Sequence, residues 1–479
     1  MEILSGILYG LSIFLSYYLV SIEVHQYYSC KRLIKIMLER KRNITIFLLI
    51  KIAMFSLFYI NELLFFISEV LADFILLIFL RPLKYKKTRR NIILFTTSLI
   101  VNILFLFAFD YFNVIHIYYL FSVIFVFLSN ILSVFITLPL EQIIRIHYIN
   151  KAKNKLKKLP SLIIIGITGS FGKTTLKSYL YDFLSVKYLV LSSKENINTL
   201  MGVTKMINDK LNPNHEILVV ELGIDEVNGF DKFKRLLSLD YAFITGIGPM
   251  HLATFKNEEN ILKAKLKIKN LLKEGGKLFV NADQEILKDK AKYSFSKEKL
   301  SNIKILSNLS LQFDYEGDRY ISEAFSPFSL PYFDAVLLIG KYLSYTKIEL
   351  KRGIENIQKV KRRFFLYRIK DTIFIDDTYN NSALGLLKSL QFIKLLGRRR
   401  AIIFTRLIEL GKDKEKIYDS LLSSLNDIFV IFVEKSYLSD RIASPHIFVS
   451  SIQEGIDYAL KEEFDIVMIT SKGDDIYLH

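Results

Sequence analysis

At 479 residues, with 51% apolar residues and a formal net charge of +17, the chain is too long for one domain and too apolar for a wholly water-exposed fold. The charge does not point to a nucleic-acid partner, because the Lys and Arg of the first 160 residues cluster between apolar runs, which is the pattern of membrane topology. The single cysteine, Cys30, excludes an intrachain disulfide and a cysteine-built metal site, and fits a catalytic part on the cytoplasmic side.

Apolar runs lie at about 3–22, 44–60, 62–80, 92–109 and 114–138. Each is close to the ~20 residues that cross ~30 Å of hydrocarbon, so a transmembrane domain of about five helices is expected over residues 1–140. The first run lacks a basic leader and a small-residue cleavage site, and so reads as a span. Lys31, Arg32, Lys35, Arg40, Lys41 and Arg42 form one basic loop, and Arg81, Lys84, Lys86, Lys87, Arg89 and Arg90 another, whereas the turns near Asn61 and Asp110–Asn113 carry no basic residue. The positive-inside rule then puts the N-terminus outside and the end of the last span in the cytoplasm, a multi-pass arrangement for a bacterial inner membrane. Lys51, Glu62, Glu69 and Asp73 fall within the second and third runs, either as a functional set or as charges that snorkel or pair. Residues 141–160, with Arg145, Lys151, Lys153, Lys155, Lys157 and Lys158, read as a basic amphipathic connector lying on anionic lipid, or as a solvated linker helix.

The stretch IIIGITGSFGKTT at 163–175 organises the rest. Ile163, Ile164 and Ile165 read as a buried parallel strand, and Gly169, Ser170, Gly172, Lys173, Thr174 and Thr175 as the turn that opens a helix. Glycines let backbone N–H groups close on a phosphate, the helix N-terminus adds positive potential, Lys173 reaches the outer phosphates, and a Thr hydroxyl can ligate Mg²⁺. Ile167 stands where the general phosphate-loop pattern has its first glycine. The form T-G-S-x-G-K-T-T resembles that of the Mur ligases, ATP-dependent amide-bond formers of peptidoglycan precursor synthesis.

Further motifs carry the resemblance in order. A helix at 173–185 and a strand near Tyr188–Leu191 lead to KENINTLMGVTKMI, where Asn196, Asn198 and Gly202 resemble a MurF-type substrate segment, with Thr199 and Thr204 replacing the usual Asn and Pro. The strand EILVVELG at 216–223 ends in Glu221, a carboxylate placed beside the phosphate loop where it can hold Mg²⁺. ITGIGPMHLATF brings His251 to the position of the family's metal-binding His, with Gly246 in place of an Asn. Lys263 and Lys265 follow on a helix. The family has here a lysine that becomes a carbamate, and the spacing from His251 favours Lys265, although Lys267 takes the place of a Glu. Asn281 and Asp283 resemble the adenosine-side N-x-D, while residues 285–345 say little and the family's H-N pair is missing from 329–340.

Arg363 falls before the interdomain hinge, and TIFIDDTYNNSALGLLKSL at 372–390 is similar to the MurF signature through Asp376, Asp377, Tyr379 and Asn380, with Asn381, Ser382 and Ala383 departing. Glu409, Leu410 and Gly411 match a further segment, and Lys472 and Gly473 are offset from the last. The resemblance implies a P-loop parallel-sheet ATPase domain at 161–363 and a C-terminal Rossmann-like α/β domain at 364–479. It further implies ATP, two Mg²⁺ ions and a carbamylated lysine as cofactors, with catalytic Lys173, His251 and Lys265. The metal ligands would be Thr174, Glu221, His251 and Lys265. Asn281, Asp283, Arg363, Asp376 and Asp377 would lie on the nucleotide, and Asn196, Asn198, Tyr379 and Asn380 on the substrate. The expected partners are a UDP-linked muramoyl peptide, D-alanyl-D-alanine, membrane lipid and other cell-wall synthesis proteins. The open alternatives are a ligase for a lipid-linked or other acceptor, and a membrane scaffold or transporter with a degenerate ATPase.

Overall fold

The structure is a computed structural model. It describes residues 89–112, 122–193, 197–248, 257–324, 329–359, 364–378, 383–394, 399–404, 414–433 and 441–470, with isolated positions between them. The apolar runs expected at 3–22, 44–60 and 62–80, with their charged residues, lie outside that set. The chain divides into two compact units, Met1–His147 and Tyr148–His479.

In the first unit, α1 (Arg89–Tyr111) runs through the expected span at 92–109. A second helix, α2 (Ser122–Lys157), continues without a break into the second unit and carries Pro139 in its interior. By length and composition, stretches Ile92–Tyr111 and Ile131–Lys157 suffice to cross a membrane. The two helices meet through aromatic and small polar side chains, the Phe125 ring of α2 lying 5.7 and 4.8 Å from those of Phe105 and Phe109. Ser98 Oγ lies 3.3 Å from Ser129 Oγ and Asn102 Nδ2 donates to Ser129 Oγ at 3.4 Å, while Ser133 and Thr137 are also buried. Ile100, Leu104 and Phe107 of α1 and Phe135 and Ile136 of α2 are instead exposed. Leu94, Val101 and Val134 are buried as well, so polar and apolar side chains share the inside of the pair while large apolar side chains also stay on its outside.

The basic stretch that begins at residue 141 is helical as far as Lys157, with Arg145, Lys151, Lys153 and Lys157 exposed, and its other face is buried. Ile149 and Ala152 are buried in the core of the second unit, and Lys155 Nζ donates to the backbone oxygens of Ile207, Asn208 and Leu211 at 3.3, 2.8 and 2.7 Å. These carbonyls end α4 (Leu200–Lys210), so a lysine that reads as solvated charge in fact caps a helix C-terminus.

The second unit is built on two parallel sheets. The first contains β1 (Ile163–Thr168), β2 (Val190–Ser192), β3 (Ile217–Glu221), β4 (Leu239–Ile244), β5 (Leu272–Asn281) and β6 (Tyr293–Phe295) in the order β2-β3-β1-β4-β5-β6. All its pairs are parallel, with Ile165 of β1 opposite both Val219 and Tyr241. Alternate residues of β1 serve two cores. Ile165 and Ile167 pack with α3 (Lys173–Leu184), α6 (Leu330–Tyr342) and α7 (Lys347–Asn356), and Ile164 packs with α4 and α5 (Glu258–Leu266). Helices on both faces explain why the strand is a continuous apolar run.

A three-stranded antiparallel meander, β7 (Leu300–Ile305), β8 (Leu311–Tyr315) and β9 (Asp318–Ser322), fills the part of the chain in which the sequence is uninformative. Buried Asp334 of α6 fastens it by accepting from Tyr315 Oη at 3.0 Å and from Ser296 N at 2.9 Å, with Lys299 Nζ at 3.0 Å. The second sheet is ordered β10 (Phe365–Ile369), β11 (Thr372–Asp376), β15 (Ile466–Ile469), β12 (Arg400–Phe404), β13 (Phe429–Phe432), β14 (His446–Phe448). Only its β10 edge is antiparallel, as expected of a Rossmann-like domain.

Candidate active site

In the first sheet β1 lies between β3 and β4; the chain leaves β1 toward β2 on one side and leaves β4 toward β5 on the other, so the C-terminal ends of β1 and β4 flank a topological switch point, where open parallel sheets bind ligands. The turn 169–172 sits there. Gly172 caps α3 with φ 78° and no side-chain hydrogen bond, which leaves the first N–H groups of the helix to an anion. A side chain at Gly172 would meet the Tyr332 hydroxyl as well as the left-handed backbone. The loop is tied to the segment after β4, where Ser170 N donates to Gly246 O at 2.7 Å and Ser170 Oγ to Gly248 O at 3.1 Å. Gln284 clamps the same segment, accepting from Ile247 N at 2.6 Å and donating to Ile247 O at 3.2 Å.

Lys173 Nζ donates to Gly169 O at 2.7 Å and Ser170 O at 3.3 Å, so its ammonium rests on the loop itself. Thr174 Oγ1 donates to Glu221 Oε2 at 2.9 Å, joining the loop to the end of β3. Lys177 Nζ stands 3.5 Å from the same oxygen, and Asn198 Nδ2 approaches Glu221 Oε1 at 3.5 Å. On α5, Lys263 is a surface residue paired with Glu259 at 2.7 Å, whereas Lys265 is buried. Burial, and then the nearby positive charge of Lys173, lower the Lys265 ammonium from 10.5 to about 7, with Asp225 and Glu221 acting in the opposite direction. Lys267, at the family's Glu position, donates to Asn228 Oδ1 at 2.6 Å.

Thus Gly169, Ser170, Gly172, Lys173, Thr174, Glu221 and Lys265 gather in one region, with Asn198 at its edge. Asn281 and Asp283 follow β5, but both side chains hold local structure. Asn281 Nδ2 donates to Thr245 O at 3.0 Å, and Asp283 accepts from Ser296 Oγ at 2.5 Å and from Lys297 N. Asp376 and Asp377, both buried at the end of β11, accept from Thr378 N at 3.1 Å and from Phe364 N and Ser389 Oγ at 3.2 and 3.0 Å. Asn196, His251, Arg363, Tyr379, Asn380, Glu409, Lys472 and Gly473 lie outside the described residues. Sequence reasoning missed Lys177, Asp225 and Gln284. The available signal for Lys177 was its position one turn after Lys173, on the same helix face.

The donor set suits a hard divalent cation. A hydroxyl and a carboxylate meet beside a phosphate cradle, and Mg²⁺ is commonly held by one or two such oxygens together with substrate phosphates. Among the described residues no group of three or more His, Cys, Asp or Glu forms a self-sufficient metal cage.

Residues 167–341, from within β1 to α6, match the Mur ligase middle domain. The chain is similar to proteins named UDP-N-acetylmuramoyl-tripeptide–D-alanyl-D-alanine ligase. It is 27% identical to that of Bacillus subtilis (strain 168) over 53% of this chain and 58% of the relative. With that of Borreliella burgdorferi it shares 26% identity over 64% of this chain and 71% of the relative. The MurF ligase from Thermotoga maritima in complex with ADP shares the fold, with a TM-score of 0.60 and 22% identity over 69% of this chain and 80% of that one. MurF from Acinetobacter baumannii superposes with a TM-score of 0.57 over 69% and 77% of the two chains, at 22% identity.

Proposed function

We infer that this chain, a Mur ligase of the MurF type, is an ATP-dependent ligase of peptidoglycan precursor synthesis that joins D-alanyl-D-alanine to UDP-N-acetylmuramoyl-tripeptide. The observation that carries the reading is the convergence of Lys173, Thr174, Glu221 and Lys265 at the switch point of the sheet. The chemistry would run in two steps. The tripeptide's carboxylate attacks the terminal phosphorus of ATP and ADP leaves, and the amine then attacks the carbonyl carbon of the acyl phosphate and phosphate leaves. A carboxylate is a poor acyl donor and needs this activation.

The phosphate loop holds the β- and γ-phosphates through its N–H groups, and Lys173 turns from the loop carbonyls to the transferring group, where it offsets repulsion between two anions. Thr174 and Glu221 would hold one Mg²⁺, and His251 and Lys265 a second; the ions supply charge neutralisation at the phosphates. With an amine near neutrality Lys265 is suited to react with CO₂, since only the free base is nucleophilic, and the resulting carbamate gives an anionic oxygen ligand. Arg363, Asp376 and Asp377 are assigned to the nucleotide, and Asn196, Asn198, Tyr379 and Asn380 to the peptide substrate.

Residues before Tyr148 are proposed as a membrane domain that holds the ligase at the cytoplasmic face of the inner membrane. The large apolar side chains left exposed on α1 and α2, and the length of their apolar stretches, support this. The test is phosphate release by detergent-purified protein with Mg-ATP and UDP-N-acetylmuramoyl-tripeptide, with and without D-alanyl-D-alanine, together with the product mass. Release that depends on the dipeptide and yields a UDP-linked pentapeptide is expected. ATP-binding protein that forms no such product would sink the assignment.

A further inference from the structure

Lys177 is buried, 4% exposed, and has no part in the chemistry above. Its ammonium lies 3.5 Å from Glu221 Oε2, the oxygen that also accepts from Thr174 Oγ1, and Glu221 is itself only 3% exposed. We propose that Lys177 is a positioning residue that holds the Glu221 carboxylate in place and makes the site take a divalent cation together with a nucleotide rather than the cation alone. The proposal rests on the reading of Thr174 and Glu221 as a cation site.

The argument is one of charge. A buried carboxylate without a counter-charge is costly, so Lys177 stabilises the fold before any cation arrives. The two lysines one turn apart on α3 have different partners, Lys173 the loop carbonyls and Lys177 the carboxylate. With Asn198 Nδ2 approaching Oε1, both carboxylate oxygens are oriented. A divalent cation that binds Oε2 must share it with the Lys177 ammonium, and Lys173, next to Thr174 in the loop, adds positive charge nearby. Repulsion therefore weakens the bare cation, whereas the phosphates of a nucleotide neutralise the excess and admit both. Lys177 does not touch the reacting atoms in this scheme. Its effect passes through Glu221.

The test is thermal unfolding of the full chain in detergent, with Mg²⁺ alone, ADP alone or both, for wild type, Lys177→Met, Lys177→Arg and the double variant Lys177→Met with Glu221→Gln. Wild type should respond to Mg²⁺ plus ADP and scarcely to Mg²⁺ alone. Lys177→Met should melt lower and recover with Mg²⁺ alone, at a half-saturating concentration at least ten-fold below that of wild type. Lys177→Arg should behave as wild type, and the double variant should regain stability yet lose any response to Mg²⁺. A Lys177→Met loss that Mg²⁺ leaves unchanged would overturn the proposal, because that is the signature of packing alone. So would a double variant that fails to fold. If instead Mg²⁺ adds nothing to the ADP response of wild type, it is the cation-site reading that fails.

Discussion

Lys265 shows how much a single buried amine can report. Its folded pKa, about 7, lies below the unfolded 10.5, so between those values the unfolded chain binds more protons and stability rises with pH. The penalty for burying the ammonium is full below about pH 7 and is relieved as pH climbs toward 10.5. Lys265→Met is therefore expected to stabilise the ligand-free protein by up to about 5 kcal/mol near pH 6, the gain fading to under about 1 kcal/mol by about pH 10. Denaturant unfolding at fixed pH in CO₂-free buffer measures it, and a pH-independent gain would show that the amine is not strained by burial. Much of this site was legible in the sequence, because glycine spacing and a strand-end carboxylate encode backbone geometry directly. Lys177 was not, since nothing local separates a lysine buried against Glu221 from one on a solvated helix face. Asp283 was legible as a residue, while its bonds to Ser296 and Lys297 depend on a strand that the sequence does not announce.

Among elements, the junction of α2 with α4 carries the clearest expectation. Lys155 donates to three carbonyls at the end of α4, whose other end follows Asn198 and is capped by Thr199. Lys155→Ala should cost about 1–2 kcal/mol and Lys155→Arg less. Hydrogen exchange should show the loss first in amides 200–211, and uniform loosening across the sheet would refute the local cap. The parallel strands were readable as apolar runs because helices cover both faces. The meander β7–β9 was not, since only β8, with Leu311, Phe313 and Tyr315 on one face, alternates clearly, and the three strands are fastened from outside by Asp334 on α6. The basic stretch after α2's apolar part reads as an amphipathic helix, while the partner of its buried face, Ile149 and Ala152, is defined only by the core it packs into.

At the scale of the whole chain, the boundary between compact units at His147 and Tyr148 predicts where the protein can be cut. A chain beginning at Tyr148 should stay soluble without detergent and bind ATP. One beginning at Ser161 lacks Ile149, Ala152 and Lys155 and should aggregate or melt at least several degrees lower. Equal stability of the two would show that the end of α2 is dispensable, and a Tyr148 chain that still requires detergent would place membrane-binding surface in residues 148–479 themselves. The strand order also sets a timetable for biosynthesis. β1 is made first, yet its neighbours are β3 and β4, so one edge stays open until Ile217–Glu221 emerges and the other until Leu239–Ile244. At roughly 5–20 residues per second the ribosome leaves IIIGIT unpaired for several seconds. During that interval an apolar strand with both edges unpaired hangs directly behind a helix apolar enough for lipid, which makes this segment a point where co-translational chaperoning matters.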